Sequence, residues 1–300
     1  MNSITGHYFD TVNSITADCG DELLHACMQL CARYERLLSR TLPESDVWRL
    51  NHASGSPIRV SNETHTLLST SLQMHEASQG VFNIAVGALM ELWDFRQTSP
   101  RLPDPVLLRA ALEKADLRRM VLDGDSVQLP EDMQIDLGGI AKGYIADRVG
   151  DFLRAEGVES ALLNFGGNIV AIGQKPDGSP WKIGLQTPGG VWGQDYWAVT
   201  ELCSGTIVTS GVHERCFELE GKRYHHVLDP RSGYPAESGL VSAIIRGKDS
   251  MLADAIATSA LILGAHEGAA LAARFGCAAI LIDAEGGFVR TTDFPLCEAV

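Results

Sequence analysis

The chain has 300 residues, 45% hydrophobic and 21% charged, with a formal net charge of −14. That size and apolar fraction allow a sizeable core, in one large domain or two intertwined lobes. The acidic balance argues against nonspecific nucleic-acid binding and against a polybasic membrane contact. Seven scattered cysteines without a CxxC pair suggest neither a disulfide framework nor a zinc ribbon, and are expected to be reduced and mostly buried. Residues 1–11 show no basic region followed by an apolar one, and no long apolar run occurs elsewhere. The reading is therefore a cytoplasmic chain with no membrane insertion.

In chain order, Leu23, Leu24, Cys27, Leu30, Cys31, Tyr34, Leu37 and Leu38 recur at three- and four-residue steps and predict an amphipathic helix. Ser61 as N-cap and Gly80 as stop signal bracket a second helix, starting at about Asn62. Asp104 and Pro105 open a third over 107–114. Residues 120–122 and 127–129 flank Asp123-Gly124-Asp125 as a hairpin. A helix is expected over 141–156, stopped by Gly157. Short β-rich runs follow at 161–164, 168–173, 181–185, 207–209, 216–219, 224–228 and 241–245. Asp249 or Ser250 caps a helix through Leu263, and a hairpin closes the chain, with runs at 279–282 and 288–290. This mix of hairpins and helices predicts an α+β fold of mixed sheets with packed helices, rather than a doubly wound parallel sheet.

Three segments carry candidate chemistry. In Asp136-Leu137-Gly138-Gly139-Ile140-Ala141-Lys142-Gly143 a carboxylate ends an apolar run, two glycines turn the chain, and a lysine enters the first turn of a helix. Bare amides, a free carbonyl and a cation there suit an anion, although a plain strand-to-helix turn reads the same way. In Tyr224-His225-His226-Val227-Leu228-Asp229-Pro230 one histidine must face inward, since side chains alternate along a strand. It could move a proton with Asp229 orienting it, or the pair could simply be solvated at a strand end. Asp254 and Thr258 lie four apart on one helical face. Two hard oxygens among small alanines would admit a divalent cation and a phosphate; the alternative is an exposed Asp near a helix N-terminus. GxSxG, HExxH and the P-loop pattern are all absent.

Taken together, DLGGIAKGYIAD (136–147), LLNFGGNIVAIG (162–173), TSGVHER (209–215), RYHHVLDPRSGYP (223–235) and ADAIATSALILG (253–264), in this order, closely resemble the ApbE family of FAD:protein FMN transferases. The resemblance covers nearly the whole chain, including Gly80-Val81-Phe82 and Trp93-Asp94-Phe95. It implies a single domain over 1–300, with FAD between lobes of an α+β fold. It also implies a Mg2+-dependent enzyme that cleaves FAD and joins FMN through a phosphodiester to a Thr or Ser hydroxyl of an acceptor flavoprotein, releasing AMP. On this reading Gly139, Asp254 and Thr258 hold Mg2+. Phe82, Asn83, Asp136, Lys142 and Leu228 contact FAD, and His226 and Asp254 are catalytic. Where many relatives read Phe-Asp-x-Thr, this chain has Phe82-Asn83-Ile84-Ala85, so a carboxylate and a hydroxyl are missing near the expected pocket. Two rivals remain: an FAD diphosphatase of the same architecture, and an FAD-binding protein without turnover.

Overall fold

A computed structural model describes residues 1–191 and 193–299. The chain opens with a hairpin of β1 (Asn2–Tyr8) and β2 (Thr11–Ala17), followed by α1 (Asp21–Leu38), α2 (Asp46–Asn51), β3 (Ile58–Arg59) and α3 (Asn62–Ala77). Next come α4 (Gly87–Trp93), α5 (Pro105–Lys114), β4 (Val121–Asp123), β5 (Ser126–Gln128) and α6 (Ala141–Ala155). A β-rich stretch contains β6 (Ala161–Phe165), β7 (Asn168–Ile172), β8 (Trp181–Gln186), β9 (Tyr196–Leu202), β10 (Gly205–Gly211), β11 (Cys216–Leu219), β12 (Lys222–His225) and β13 (Leu240–Gly247). The remaining elements are α7 (Ser250–Leu263), α8 (Ala265–Arg274), β14 (Ala278–Asp283), β15 (Phe288–Arg290) and β16 (Glu298–Ala299).

The capping chemistry works as its residue types require. Ser61 Oγ accepts the Thr64 N–H, Asp104 accepts from Val106 and Leu107, and Asp249 accepts from Leu252, each satisfying donors that the first helical turn leaves orphaned. The β1–β2 hairpin, α4, α8 and β9 lie outside the periodicity-based expectations. α8 follows α7 with only Gly264 between them, so the two read as one apolar stretch. The strand expected over 224–228 ends at His225, because the chain bends at His226.

β1-β2-β6-β7-β10-β13-β14-β15 form one eight-stranded sheet, and β8, β9 and β16 form a second of three strands. Every pairing in both sheets is antiparallel, as an α+β fold requires. The central strands β7, β10, β13 and β14 of the large sheet are buried on both faces and divide their residues between two cores. In β14, Ala279 and Leu281 join the core shared with α1, α3, α6 and α7. Ala278, Ile280 and Ile282 point the other way, onto Trp181, Ile183 and Leu185 of the small sheet. A third cluster joins Leu89 and Trp93 of α4 and Leu108 of α5 to Phe217 and Leu228.

α7 runs through the middle of this packing. Ten of its 14 residues are buried, so the helix has no solvent face to which a charge could be assigned. Asp254 lies inside it at 1% exposure. All seven cysteines are free, but only Cys27, Cys31 and Cys277 are buried, correcting the expectation of mostly buried thiols. Cys203 and Cys297 are exposed because they fall in segments outside the strands. Burial pushes Cys27 and Cys31 up to about 12, so both remain protonated thiols. Among the described residues no helix is long and apolar enough to cross a membrane.

Candidate active site

Two adjoining cavities open between the α1–α2 loop, the segment before α4, the N-terminus of α6 and the 209–228 region. The wider, about 590 Å³, is lined by Phe9, Arg40, Phe95, Lys142 and Arg215 among others. The narrower, about 110 Å³, is more apolar, with Val81, Phe82, Ile84, Val227, Leu228 and Ile262 in its walls. Met90, Asp136, Gly138, Lys142, Arg215 and His226 belong to both, so the two form one continuous hollow. An apolar slot beside a larger charged chamber suits a ligand with one planar apolar end and an anionic remainder.

The turn from Asp136 into α6 is more tightly bonded than the sequence suggests. Asp136 Oδ1 accepts the Gly138 N–H at 2.7 Å, while Ile140 and Ala141 donate to the Leu137 carbonyl. Gly143 N–H goes to Asp254 Oδ2 at 3.0 Å. The expectation of bare amides waiting for an anion is therefore corrected at four positions, because the turn and α7 supply the acceptors. Neither Gly138 nor Gly139 has a left-handed backbone; each lies in close approach to a neighbouring side chain. A Cβ on Gly138 would sit 2.9 Å from Asp136 Oδ1, and one on Gly139 would sit 3.3 Å from Thr258 Oγ1. Lys142 Nζ reaches back to the Gly138 carbonyl at 3.5 Å and lines both cavities. Asp136 is tied on its other side to Arg40, Nε to Oδ2 at 3.0 Å.

Across the α6–α7 contact Thr258 stands against Gly139, and Asp254, one helical turn before it, bonds to Gly143. Gly143 makes this possible: a Cβ there would lie 2.1 Å from the Ser250 carbonyl oxygen, so only glycine lets the helices touch backbone to backbone. Asp254 is thus buried rather than exposed at a helix end, and its Oδ2 caps an orphan amide of α6. Among the described residues no three His, Cys, Asp or Glu side chains gather as a metal cluster. The donors here are of another kind: one buried carboxylate, one hydroxyl and one glycine carbonyl. A hard divalent cation that retains water and ligand phosphate oxygens fits that set.

The two histidines take different places. His225 is buried, with Nε2 at 3.2 Å from the Ala236 carbonyl. His226 lines both cavities, and its Nδ1 lies 3.3 Å from the Arg215 carbonyl oxygen. A carbonyl only accepts, so Nδ1 carries the proton and Nε2 is the basic nitrogen. Enclosure by protein, with Arg215 and Lys142 nearby, pushes the His226 pKa down to about 3. Asp229 does not orient this ring. Its carboxylate is bound by Arg231, Nη2 to Oδ2 at 2.7 Å, because the turn at Pro230 folds the arginine back onto it.

Phe82 and Leu228 are buried in the wall of the narrow cavity. Asn83 also lines it, with both ends of its amide engaged: Nδ2 donates to the Ala115 carbonyl at 2.7 Å and Oδ1 accepts the Ala85 N–H at 2.9 Å. Sequence reasoning passed over Arg40 and Met90, and found Glu214, beside Arg215, a weak signal by itself. Arg40 carried no local signal, since its partners Asp136 and Glu91 are distant in sequence. Solvent reaches Glu214, yet the concave wall around it desolvates the carboxyl and raises its pKa, opposed by Lys142 and Arg215.

A model of the ApbE family matches residues 9–281. A protein of Klebsiella pneumoniae named FAD:protein FMN transferase is 39% identical over 255 residues, covering 83% of this chain and 78% of its own. The ApbE protein of Thermotoga maritima superposes with a TM-score of 0.88 at 29% identity, covering 97% of each chain. The flavinyl transferase ApbE of Pseudomonas stutzeri, in its apo form, gives 0.84 at 32% identity, covering 97% of this chain and 93% of its own. With matched residues running from β2 through the cavity and the central helix to β14, the chain belongs to the ApbE family.

Proposed function

We propose that this chain transfers FMN from FAD to a threonine or serine hydroxyl of an acceptor flavoprotein, forming a phosphodiester and releasing AMP, with Mg2+ as cofactor. One observation carries the reading: His226, Lys142, Gly139 and Thr258 border a single narrow cavity, and Asp254 stands one helical turn from Thr258. Residues 1–300 act as one domain on this reading, since the hollow draws its lining from Phe9 through Ile262.

Phe82 and Leu228 offer apolar surface to the flavin ring, and Asn83 holds the wall behind them. Asp136 and Lys142 border the path of the nucleotide. The acceptor hydroxyl oxygen attacks the FMN phosphorus, the bond to the AMP phosphate breaks, and AMP leaves. The hydroxyl proton passes to His226 Nε2, whose ring is held by the Arg215 carbonyl. Gly139, Asp254 and Thr258 would hold Mg2+, which when bound neutralises charge on the diphosphate. Burial and two cations disfavour the charged form of His226 and make it a weak base. An anionic diphosphate beside Lys142 and Arg215 offsets those cations and raises the histidine's proton affinity. The base is thus strengthened by the substrate it serves.

The test is intact-mass spectrometry of an acceptor flavoprotein domain incubated with the enzyme, FAD and Mg2+. A gain equal to phosphodiester-linked FMN, lost in Asp254→Ala and in His226→Ala, supports the transferase. Free FMN and AMP without labelling would make it an FAD diphosphatase. Unaltered, bound FAD would make it a binding protein.

A further inference from the structure

α6 and α7 cap one another. Asp254 of α7 accepts the Gly143 N–H in the first turn of α6. Asp147 of α6 reciprocates, accepting the Ser250 N–H at 3.0 Å and the Met251 N–H at 2.9 Å with its two oxygens. Asp147 lies four residues after Gly143, and Asp254 four after Ser250, so the pairs form two rungs one helical turn apart on an antiparallel crossing. Between the rungs, the absent side chain of Gly143 lets the Ser250 carbonyl lie against α6. α7 has its own N-cap, since Asp249 accepts the Leu252 N–H at 2.8 Å. Asp147 is therefore not needed merely to start the helix. Its bonds run between helices, and they set where α7 stands against the turn that carries Gly139.

We infer that Asp147 is a positioning residue for the cation site: by clamping the α7 N-terminus onto α6 it holds Asp254 and Thr258 in register with the Gly139 carbonyl. This rests on the cation reading proposed above. The geometry supports it because Gly139 and Asp254 belong to different helical units, and the described bonds joining those units near the site are the two rungs. Losing the Asp147 rung removes two of the three described hydrogen bonds between α6 and α7 beside the site and leaves only the Gly143–Asp254 bond, so the register of the residue that would ligate the ion is less firmly fixed.

The experiment uses the full chain and Mn2+ as the probe, with free Mn2+ measured by electron paramagnetic resonance. Asp147→Asn keeps the shape but turns one acceptor oxygen into an amide facing a backbone N–H. It is expected to weaken Mn2+ binding about tenfold, the lower end of what losing a supporting partner does. Raised Mg2+ should restore activity to it but not to Asp254→Ala. Asp249→Ala, which removes the ordinary cap of the same helix, is the control. It should lower the unfolding temperature by about 2–4 °C and leave Mn2+ affinity unchanged. Should Asp147→Asn fail to fold, Asp147→Glu, with both oxygens displaced by one methylene, carries the same expectation. If Asp147→Asn binds Mn2+ like wild type, or Asp249→Ala weakens it equally, the positioning role is overturned while the cation site stands. If the wild type binds no Mn2+, or Asp254→Ala binds it normally, both ideas fall together.

Discussion

Asn83→Asp would restore the carboxylate that the family pattern carries at this position, and the structure argues that the restoration destabilises the fold. Asn83 donates from Nδ2 to the Ala115 carbonyl at 2.7 Å and accepts from the Ala85 N–H with Oδ1. An ionised aspartate keeps the second bond and loses the first, and then places a carboxylate oxygen against a carbonyl oxygen. For a half-buried site the lost donor and the unpaired carbonyl cost about 1–3 kcal/mol. That is an unfolding-temperature drop of about 2–8 °C at pH 7. The sign with pH is the discriminating part. A protonated aspartic acid can donate to Ala115 as the amide does, so the folded state raises the pKa of the introduced group. A group raised in this way contributes its stability below the unfolded value near pH 4 and loses it as pH rises through the folded one. Thermal unfolding of both proteins from pH 4 to 7 should therefore show the deficit shrinking as pH falls. An Asp variant as stable as wild type at pH 7, or a deficit independent of pH, would refute the reasoning.

Two glycines in α6 should respond to alanine with opposite signs. Gly143→Ala drives a Cβ to 2.1 Å from the Ser250 carbonyl and should cost about 3 kcal/mol or more, together with activity. Gly150→Ala meets its nearest atom, an Arg154 side-chain nitrogen, at 3.4 Å and should gain up to about 1 kcal/mol of helix propensity, both read by denaturant titration. Burial, reinforced by Asp249, pushes the Asp147 carboxyl up to about 7, against the pull of the Ser250 and Met251 amides and Arg148. The contribution of that shift is full below about pH 4 and is lost as pH rises through 7, so wild type should lose stability relative to Asp147→Asn over that window, and a relative gain would contradict it. Trp93→Phe removes the donor to the Gly233 carbonyl at 2.8 Å from a fully buried ring. It should cost about 1–3 kcal/mol, and a loss below about 0.5 kcal/mol would mean the bond contributes little.

How far the sequence reached follows from what is local. Caps at Ser61 and Asp104, and at one of Asp249 and Ser250, are read from neighbours within three residues; the structure bonds the first two as expected and gives the third to Asp249. The short β-rich runs of β6, β7 and β14 are likewise legible, because an apolar run between turn signals is a local pattern. The β1–β2 hairpin escaped because apolarity and burial part company there: in β2 Val12 is exposed and Asn13 is buried. Asp229 misled for a related reason: closeness in sequence to His226 is not closeness in space, and Arg231 is nearer to its carboxylate.

The motifs alone determined the family and the residue types of the site. The cation site proposed above draws on a glycine, an aspartate and a threonine of those motifs, and His226 and Lys142 line the same narrow cavity as Gly139 and Thr258. Only the tertiary structure decided that Asp254 is buried, that Gly138 and Gly139 lie in close approach to side chains rather than in a left-handed turn, and that the amides of 138, 140, 141 and 143 are already paired. It also decided which histidine faces the cavity, and that a carbonyl from residue 215 holds it. The physical reason is the same in each case. Burial, desolvation and the partner of a hydrogen bond depend on which distant segments pack together, and no window of neighbouring residues contains that information.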